Sequence, residues 1–225
     1  MQLKLRLQTV LRSVPNRSVV ADIGTDHAFL PIALIKSGIA KRVIACDINE
    51  KPLAVARANI EKAKAQNIEV RLSDGLDNIK ENEVDVVTIA GMGGDLICDI
   101  IKRAPWLKSN SKTLILQPMT SADVIREYLY TEGFDIIDET AVLDTGRVYS
   151  VISAVYSGEK QEVSPKNRFI GELKYTTQDN KRYIDLQYKR VRDCAENLKN
   201  ITHKSAEYLL YSEAEKEIKE IIEKG

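Results

Sequence analysis

The stretch from residue 19 to residue 34 constrains the fold of this chain more than any other part of the sequence. The apolar run Val19–Ile23 ends at Gly24, and after a short polar turn the apolar residues recur at helical spacing. This succession of strand, tight turn and helix is typical of the first unit of a nucleotide- or nucleoside-binding α/β domain. Gly24 suits a sharp turn at which a ligand approaches the backbone closely.

The residue two positions after Gly24 separates the ligands that such a turn can hold. Dinucleotide-binding proteins carry a glycine there, so that a pyrophosphate can contact the helix N-terminus. This chain carries Asp26, whose carboxylate repels a pyrophosphate and attracts a cation. S-adenosylmethionine has a sulfonium, an ammonium and no phosphate, so the turn fits it better than NAD. Alternatively, Asp26 serves only as the N-cap of the helix.

The composition narrows the class of protein. Hydrophobic residues make up 44% of the 225 residues, enough to bury a sizeable core, and the formal net charge is zero. The three cysteines are far apart and only two histidines are present, which suggests neither a metal site nor a disulfide framework. No apolar run approaches the ~20 residues of a membrane span, and the N-terminus lacks the pattern of a signal peptide. We therefore expect a cytoplasmic protein that binds neither a metal nor a membrane.

Carboxylates follow the next two predicted strands. Asp47 ends the second strand, 23 residues after Gly24, where a carboxylate can bind both ribose hydroxyls; the alternative is a solvated carboxylate at a strand end. Asp74 and Gly75 follow the third strand and either approach an adenine edge or form an ordinary turn. The five predicted strands span residues 18–23, 42–47, 68–72, 84–90 and 113–117, and the helices between and after them span 27–37, 51–66, 95–103 and 121–132.

Three glycines occupy four positions, 91–94, directly after the fourth strand. We predict a loop there whose backbone contacts a ligand, because open α/β sheets bind ligands at the carboxyl ends of their strands. A flexible turn is the alternative. Gln117 ends the fifth strand beside this loop and either binds a base through its donor and acceptor together or caps the strand.

The chain from 134 to 156 predicts a β-hairpin. Residues 134–143 and 147–156 alternate between apolar and polar, and a turn around Gly146 separates them. Five αβ units followed by a hairpin predict a seven-stranded, Rossmann-like sheet whose last strand is antiparallel. This topology is typical of class I S-adenosylmethionine-dependent methyltransferases, whereas dinucleotide dehydrogenases finish their sheets differently.

The sequence changes character after residue 157. Residues 158–165 are polar and indicate a linker, so we predict a methyltransferase domain at 1–157 and a helical appendage at 158–225. Apolar residues then alternate spacings of four and three, and a second helix at about 206–223 can fold back on the first. We therefore predict an antiparallel coiled-coil hairpin, with the first seam formed by Ile184, Tyr188, Val191, Ala195, Leu198 and Thr202.

Charge is uneven in the appendage. Residues 160–204 hold 11 basic and 6 acidic residues, and tyrosines lie among the basic ones. A basic stripe with aromatic residues is typical of a nucleic-acid contact, although a solvated coiled-coil face is the alternative. The helix at residues 3–14 also has a basic face beside its apolar one. The candidate RNA-binding residues are Lys4, Arg6, Lys181, Arg182, Lys189, Arg190 and Arg192.

Three motifs carry a resemblance to one known family, and that resemblance covers the whole chain. They are the stretches Asp22–Pro31, Ile89–Gly94 and Leu114–Pro118, and they are similar to the bacterial tRNA (adenine(22)-N(1))-methyltransferase family, TrmK. The resemblance implies methylation of N1 of adenosine 22 in the tRNA D-arm, with S-adenosylmethionine as cofactor. It also implies that the cofactor is bound by Asp22, Gly24, Thr25, Asp26, His27, Asp47, Ile48, Asp74, Gly75 and Gly91.

Methylation of adenine N1 is consistent with the absence of one common methyltransferase motif from this sequence. Enzymes that methylate exocyclic adenine amines usually carry an Asn/Asp-Pro-Pro-aromatic loop after the fourth strand, and this chain carries glycines there. Adenine N1 already has an in-plane lone pair and needs orientation more than deprotonation. We assign Asp26 and Gln117 as the catalytic candidates, with Asp26 near the cationic group and Gln117 orienting the base. The alternatives are a methyltransferase for a small molecule or protein, a non-catalytic RNA-binding protein and, third, a NAD oxidoreductase. We expect a monomer.

Overall fold

A seven-stranded sheet forms the centre of the protein, in a computed structural model that describes residues 3–225, with the side chain of Thr202 excepted. The strand order is β3-β2-β1-β4-β5-β7-β6, and β1 to β5 are parallel. The last strand in sequence lies antiparallel between β5 and β6, which confirms the predicted topology. The strands are β1 Ser18–Ile23, β2 Ala40–Asp47, β3 Ile68–Leu72, β4 Val86–Gly93, β5 Thr113–Thr120, β6 Phe134–Asp144 and β7 Arg147–Tyr156.

Helices cover both faces of the sheet because successive strand residues point to opposite sides. Ala21 and Ile23 of β1 pack with the apolar faces of α4 and α5, whereas Val20 packs on the other face with α1 and α2. Burial on both faces explains why the central strands are continuous apolar runs. The helices are α1 Leu5–Ser13, α2 Phe29–Lys36, α3 Glu50–Ala63, α4 Gly94–Arg103, α5 Ala122–Glu132, α6 Pro165–Ile170, α7 Gln178–Leu198 and α8 Ser205–Lys224.

One local prediction at the carboxyl edge of the sheet is wrong. Residues 91–93 are not a loop: they extend β4, and Met92 pairs with Pro118 across an irregular register. The glycines permit this extension, since Gly91 has φ +82°. The structure also removes the alternative role of Asp26 as the N-cap of α2. That helix begins at Phe29 with Ala28 as its N-cap residue, and Asp26 itself has φ +50°.

The C-terminal helices pack against the β6–β7 hairpin through a third apolar cluster. Helices α7 and α8 form the expected antiparallel hairpin, because Gly225 at the end of α8 lies beside Tyr175 before α7. Of the predicted seam, Ile184, Val191 and Ala195 are buried, and the side chain of Thr202 lies outside the described residues. The boundary between residues 157 and 158 stays a prediction.

A buried ion pair joins this helical part to the sheet. Arg126 of α5 donates to the Glu139 carboxylate of β6, with Nη2 to Oε1 at 2.6 Å, and both side chains are fully buried. The same guanidinium donates to the carbonyl of Phe169 in α6 and to the hydroxyl of Tyr183 in α7. Four elements therefore meet at one guanidinium.

Candidate active site

A cavity of about 160 Å³ opens at the carboxyl ends of β1 and β4. Three segments of the chain line most of it: helix α1, the turn between β1 and α2, and the end of β4. Six of the residues proposed from sequence for the cofactor meet here, together with four apolar residues and Arg6. The lining residues are Arg6, Leu7, Asp22, Gly24, Thr25, Asp26, His27, Phe29, Leu30, Ala90 and Gly91.

The turn between β1 and α2 is held in an unusual backbone conformation. Gly24, Asp26 and Ala28 all have positive φ, and the Thr25 amide donates to the Cys46 carbonyl of β2 at 2.8 Å. A Cβ added to Gly24 would overlap the methyl end of Met92 from β4. The backbone angle therefore favours glycine here, and a larger residue would also have to displace the end of the Met92 side chain.

Asp22 is a buried carboxylate without a cationic partner among residues 3–225. It is 4% exposed, and its Oδ1 accepts a hydrogen bond from the Thr88 hydroxyl at 2.8 Å. Burial raises the pKa of Asp22 to about 6, although the hydrogen bond from the Thr88 hydroxyl opposes the shift. A carboxylate kept in such surroundings favours a ligand that brings a positive charge.

Two further polar atoms in the cavity lack partners. Within the described part of the chain, Thr25 Oγ1 and His27 Nδ1 are buried and make no hydrogen bond. Buried polar atoms are nearly always paired, so two orphans beside an unpaired carboxylate indicate a place for a polar ligand. This arrangement fits the ammonium-bearing end of S-adenosylmethionine.

The residues proposed for the adenosine half lie at the neighbouring strands β2 and β3. Asp47 Oδ2 accepts from the Asp26 amide at 3.4 Å, and the next residue, Ile48, is 58% exposed and offers an apolar surface. Asp74 is paired with Arg103 of α4 at 2.8 Å, a contact that the sequence did not predict. An adenine amine would therefore share that carboxylate with a guanidinium.

Gln117 and Arg6 contact each other, and their positions do not suit the roles predicted for them. Gln117 is fully buried: its Oε1 accepts from Arg6 Nη1 at 2.8 Å, and its Nε2 donates to the Pro118 carbonyl at 2.8 Å. An amide engaged in this way is not available to orient a base. Arg6 in turn faces the cavity rather than the outer face of α1, and its spacing three residues after Leu3 and four before Val10 already indicates the packed side of the helix.

A second, larger depression of about 800 Å³ lies between the β6–β7 turn and α7. Three of the predicted RNA-binding residues line this groove: Lys181, Arg182 and Lys189. The sequence analysis missed Arg147 and Met119, because only the fold brings the β6–β7 turn and the end of β5 beside α7. The groove has four basic side chains and one acidic side chain, Asp185, and Leu186 is an exposed apolar residue within it.

The remaining basic candidates lie around that groove or away from it. Arg190 lines an adjoining depression with residues 118–123 and pairs with Asp123 at 3.4 Å. Arg192 pairs with Asp193 and lies over the Tyr188 ring, and Lys4 is exposed at the start of α1.

No helix within residues 3–225 is both long and apolar enough to cross a membrane. No group of three or more histidine, cysteine, aspartate or glutamate side chains within it could hold a metal ion.

The fold, the cavity and a match of residues 3–152 to the Methyltransferase domain family define a class I, Rossmann-like methyltransferase. The crystal structure of the Bacillus subtilis tRNA methyltransferase TrmK superposes with a TM-score of 0.84 and 31% identity, over 98% of this chain and 99% of that one. The chain belongs to the TrmK family.

Two further comparisons agree with this membership. The tRNA (adenine(22)-N(1))-methyltransferase of Bacillus subtilis is 42% identical over 155 residues, which make up 68% of this chain and 65% of that protein's length. The structure of M. capricolum TrmK in complex with S-adenosyl-homocysteine has a TM-score of 0.79 and 27% identity, over 99% of both chains.

Proposed function

We propose that this protein transfers the methyl group of S-adenosylmethionine to N1 of adenosine 22 in the D-arm of tRNA. The observation that carries the proposal is that the cavity and the basic groove adjoin at neighbouring strands. Met92, which follows the cavity residue Gly91, pairs with Pro118, and Met119 next to it lines the groove. The names of the relatives support the same activity.

The cavity and the ends of the neighbouring strands β2 and β3 would bind different parts of the cofactor. Asp22, Thr25 and His27 would hold its polar amino-acid end, Asp47 would bind the ribose, and the adenine would lie near Ile48, Asp74 and Gly75. When bound, S-adenosylmethionine supplies an electrophilic methyl group on a sulfonium, which becomes a thioether as the methyl bonds to N1. Gly91, exposed and without a side chain, leaves room at the rim for a planar base.

The protein's part in the reaction is positioning. Adenine N1 lies on the Watson–Crick edge, so the base must leave its stack or pair before it reaches the cavity. Its lone pair is already free, so orientation lowers the barrier more than a general base would. Asp26, with its carboxylate 68% exposed at the cavity rim, would stabilise the positive charge of the methylated base.

The groove supplies the contact with the rest of the tRNA. Lys181, Arg182, Lys189 and Arg147 would pair with backbone phosphates, which fix the register of the RNA without reading its sequence. Lys4, Arg190 and Arg192 would add contacts at the periphery. We further propose that the protein acts in the cytoplasm as a monomer.

A methylation assay with two tRNA transcripts tests the proposal. One transcript carries adenosine 22 and its control carries guanosine at that position, and nucleoside mass spectrometry identifies the product. We expect N1-methyladenosine from the first transcript alone. Replacing Lys181, Arg182 and Lys189 by glutamine should raise the KM for tRNA by about 10-fold or more at unchanged kcat, because each lost phosphate contact weakens binding.

The matched control removes the same number of positive charges at Lys36, Lys41 and Lys62, which are exposed on α2, β2 and α3. We expect its KM to stay within about twofold of the original, since β2 lies near the β3 edge of the sheet and the groove lies at the opposite edge. Methylation of both transcripts at other positions, or binding of the cofactor without any transfer to tRNA, would contradict the proposed substrate.

A further inference from the structure

Two large apolar side chains are exposed within the basic groove. Met119, near the end of β5, is 36% exposed, and Leu186 of α7 is 51% exposed; both line the same depression. A single exposed apolar residue is ordinary on a protein surface. Two such residues from segments far apart in sequence, facing one groove, suit a ligand that has an apolar surface of its own.

The position of Met119 is fixed by the end of the sheet that carries the cavity. The Nε2 of the fully buried Gln117 donates to Met119 Sδ at 3.8 Å, and Oε1 of the same amide accepts from Arg6, which lines the cavity. Pro118, between Gln117 and Met119, pairs with Met92 of β4. Met119 therefore lies where the cavity and the groove adjoin.

The cations of the groove are available to a ligand. Its four basic side chains form no ion pair within residues 3–225, whereas Arg190 and Arg192, further along α7, are each paired with an aspartate. The one carboxylate among the described residues that line the groove, on Asp185, accepts a hydrogen bond from the Tyr175 hydroxyl at 2.9 Å. The groove therefore offers free positive charge to a polyanion.

Unpaired nucleotides match both features of the groove. A paired RNA helix keeps the faces of its bases stacked inside, so it would leave the two apolar side chains against water. An unpaired nucleotide presents a phosphate together with a flat base, and thioether and aliphatic groups pack well on aromatic rings. Adenosine 22 must itself leave its stack or pair before its N1 can be methylated.

We propose that Met119 and Leu186 form an apolar step that packs on bases of the tRNA D-arm after they have left the helix. Met119, which adjoins the cavity, packs on the target adenine while N1 points into the cavity, and Leu186 packs on a neighbouring base. The four cations bind the phosphates of the same nucleotides. This inference rests on the proposed function, since it assigns residues that position that function's substrate.

Binding of a tRNA transcript at several salt concentrations separates base packing from phosphate contact. We expect the double variant Met119→Ala with Leu186→Ala to weaken binding by about 5- to 20-fold at every salt concentration, because packing on a base releases no counterions. Replacing Lys181, Arg182 and Lys189 by glutamine should instead reduce the slope of log affinity against log salt by about 2 to 3.

A transcript with 2-aminopurine at position 22 reports the target base directly, since this analogue fluoresces more strongly once it leaves its stack. We expect the unmodified protein to raise the fluorescence and the double alanine variant to raise it by about half as much or less. The double variant Met119→Leu with Leu186→Met keeps two large apolar side chains and should behave as the unmodified protein.

Val55→Ala is the matched control, because Val55 is 42% exposed on α3, at the opposite edge of the sheet from the groove. It should change neither the binding nor the fluorescence. Since all the replaced side chains are exposed, the variants should unfold at an unchanged temperature.

Two results would overturn the inference and leave the proposed function standing. One is unchanged binding and fluorescence in the double alanine variant of a protein that methylates the transcript. The other is a smaller salt slope in that variant, since it would report lost phosphate contacts rather than lost packing. Binding without methylation of adenosine 22 would instead contradict the proposed function, and the salt series would still support or overturn the apolar step.

Discussion

Two buried carboxylates of this protein have opposite surroundings. The Glu139 side chain is fully buried and accepts hydrogen bonds from the Arg126 guanidinium and from the Glu172 amide. Asp22 is 4% exposed and accepts only from the Thr88 hydroxyl and has no cation beside it among residues 3–225. Both burials cost free energy of folding, and only the first is compensated within the chain.

The groups around Arg126 and Glu139 form a structural junction between elements, whereas the groups around Asp22 form a binding site. At the junction, Arg126 also donates to Phe169 and Tyr183. Burial alone would lower the pKa of Arg126, but Glu139 and Tyr183 together outweigh it and hold that pKa above its ordinary range. In the cavity, Thr25 Oγ1 and His27 Nδ1 make no hydrogen bond within residues 3–225, and the Asp22 carboxylate has a hydroxyl beside it but no cation. The cavity therefore leaves polar groups for a ligand, whereas the groups around Arg126 satisfy one another.

Breaking the junction should have the largest effect. Arg126→Met leaves the Glu139 charge buried and unpaired, and we expect the free energy of unfolding to fall by about 3–5 kcal/mol in a urea titration. The double variant with Glu139→Leu removes both charges and should recover much of that loss. A double variant as unstable as the single one would show that packing, rather than the ion pair, holds the junction together.

Asp22→Asn should raise the free energy of unfolding, whereas Arg126→Met lowers it. Burial raises the pKa of Asp22 from 3.8 to about 6, so this group stabilises the fold below pH 3.8 and that contribution is lost as the pH rises through 6. An uncharged asparagine avoids the loss, and we expect about 3 kcal/mol of added stability at pH 8, vanishing towards pH 4.

The same substitution should weaken binding of S-adenosylhomocysteine, because the negative charge is absent. Thermal melting across pH and calorimetry at pH 8 check the two effects separately. A variant that is less stable at pH 8 would contradict the view that Asp22 is strained in the absence of a ligand.

The smallest effect concerns the backbone of the cavity. Gly24 and Gly38 have nearly equal φ, +71° and +74°, but a Cβ on Gly38 meets nothing within 4 Å. Gly38→Ala therefore measures the cost of the backbone angle alone, about 1 kcal/mol. Gly24→Ala adds the overlap with Met92 and should cost about 1 kcal/mol more in thermal unfolding. Equal costs would mean that Met92 moves aside freely.

Periodicity in the sequence predicted most of the sheet. Strands β1, β3 and β7 have the predicted bounds, since their apolar patterns end at turn residues. The prediction failed at residues 91–93 and 118–120, where glycine and proline usually end a strand. There the two strands pair with each other despite these residues, and such pairing depends on neighbours far away in sequence.

The cavity was predictable only in part, for the same reason. Asp22, Gly24 and Asp26 belong to one continuous motif, so their proximity follows from a single strand and turn. The partnership of Arg6 with Gln117 joins residues 111 positions apart, and no local pattern predicts it. The sequence shows which side chains are charged or polar, whereas only the fold shows which of these side chains contact one another.

The hairpin that ends the sheet has a consequence for synthesis of the chain. Among the described strands, β6 pairs only with β7, and β7 pairs with β5 at residues 113–116. A nascent chain can therefore assemble its five parallel strands while the outer edge of β5 is still open, and an open edge is a template for pairing with other chains. The last strand to leave the ribosome is thus the one that protects the emerging protein from aggregation.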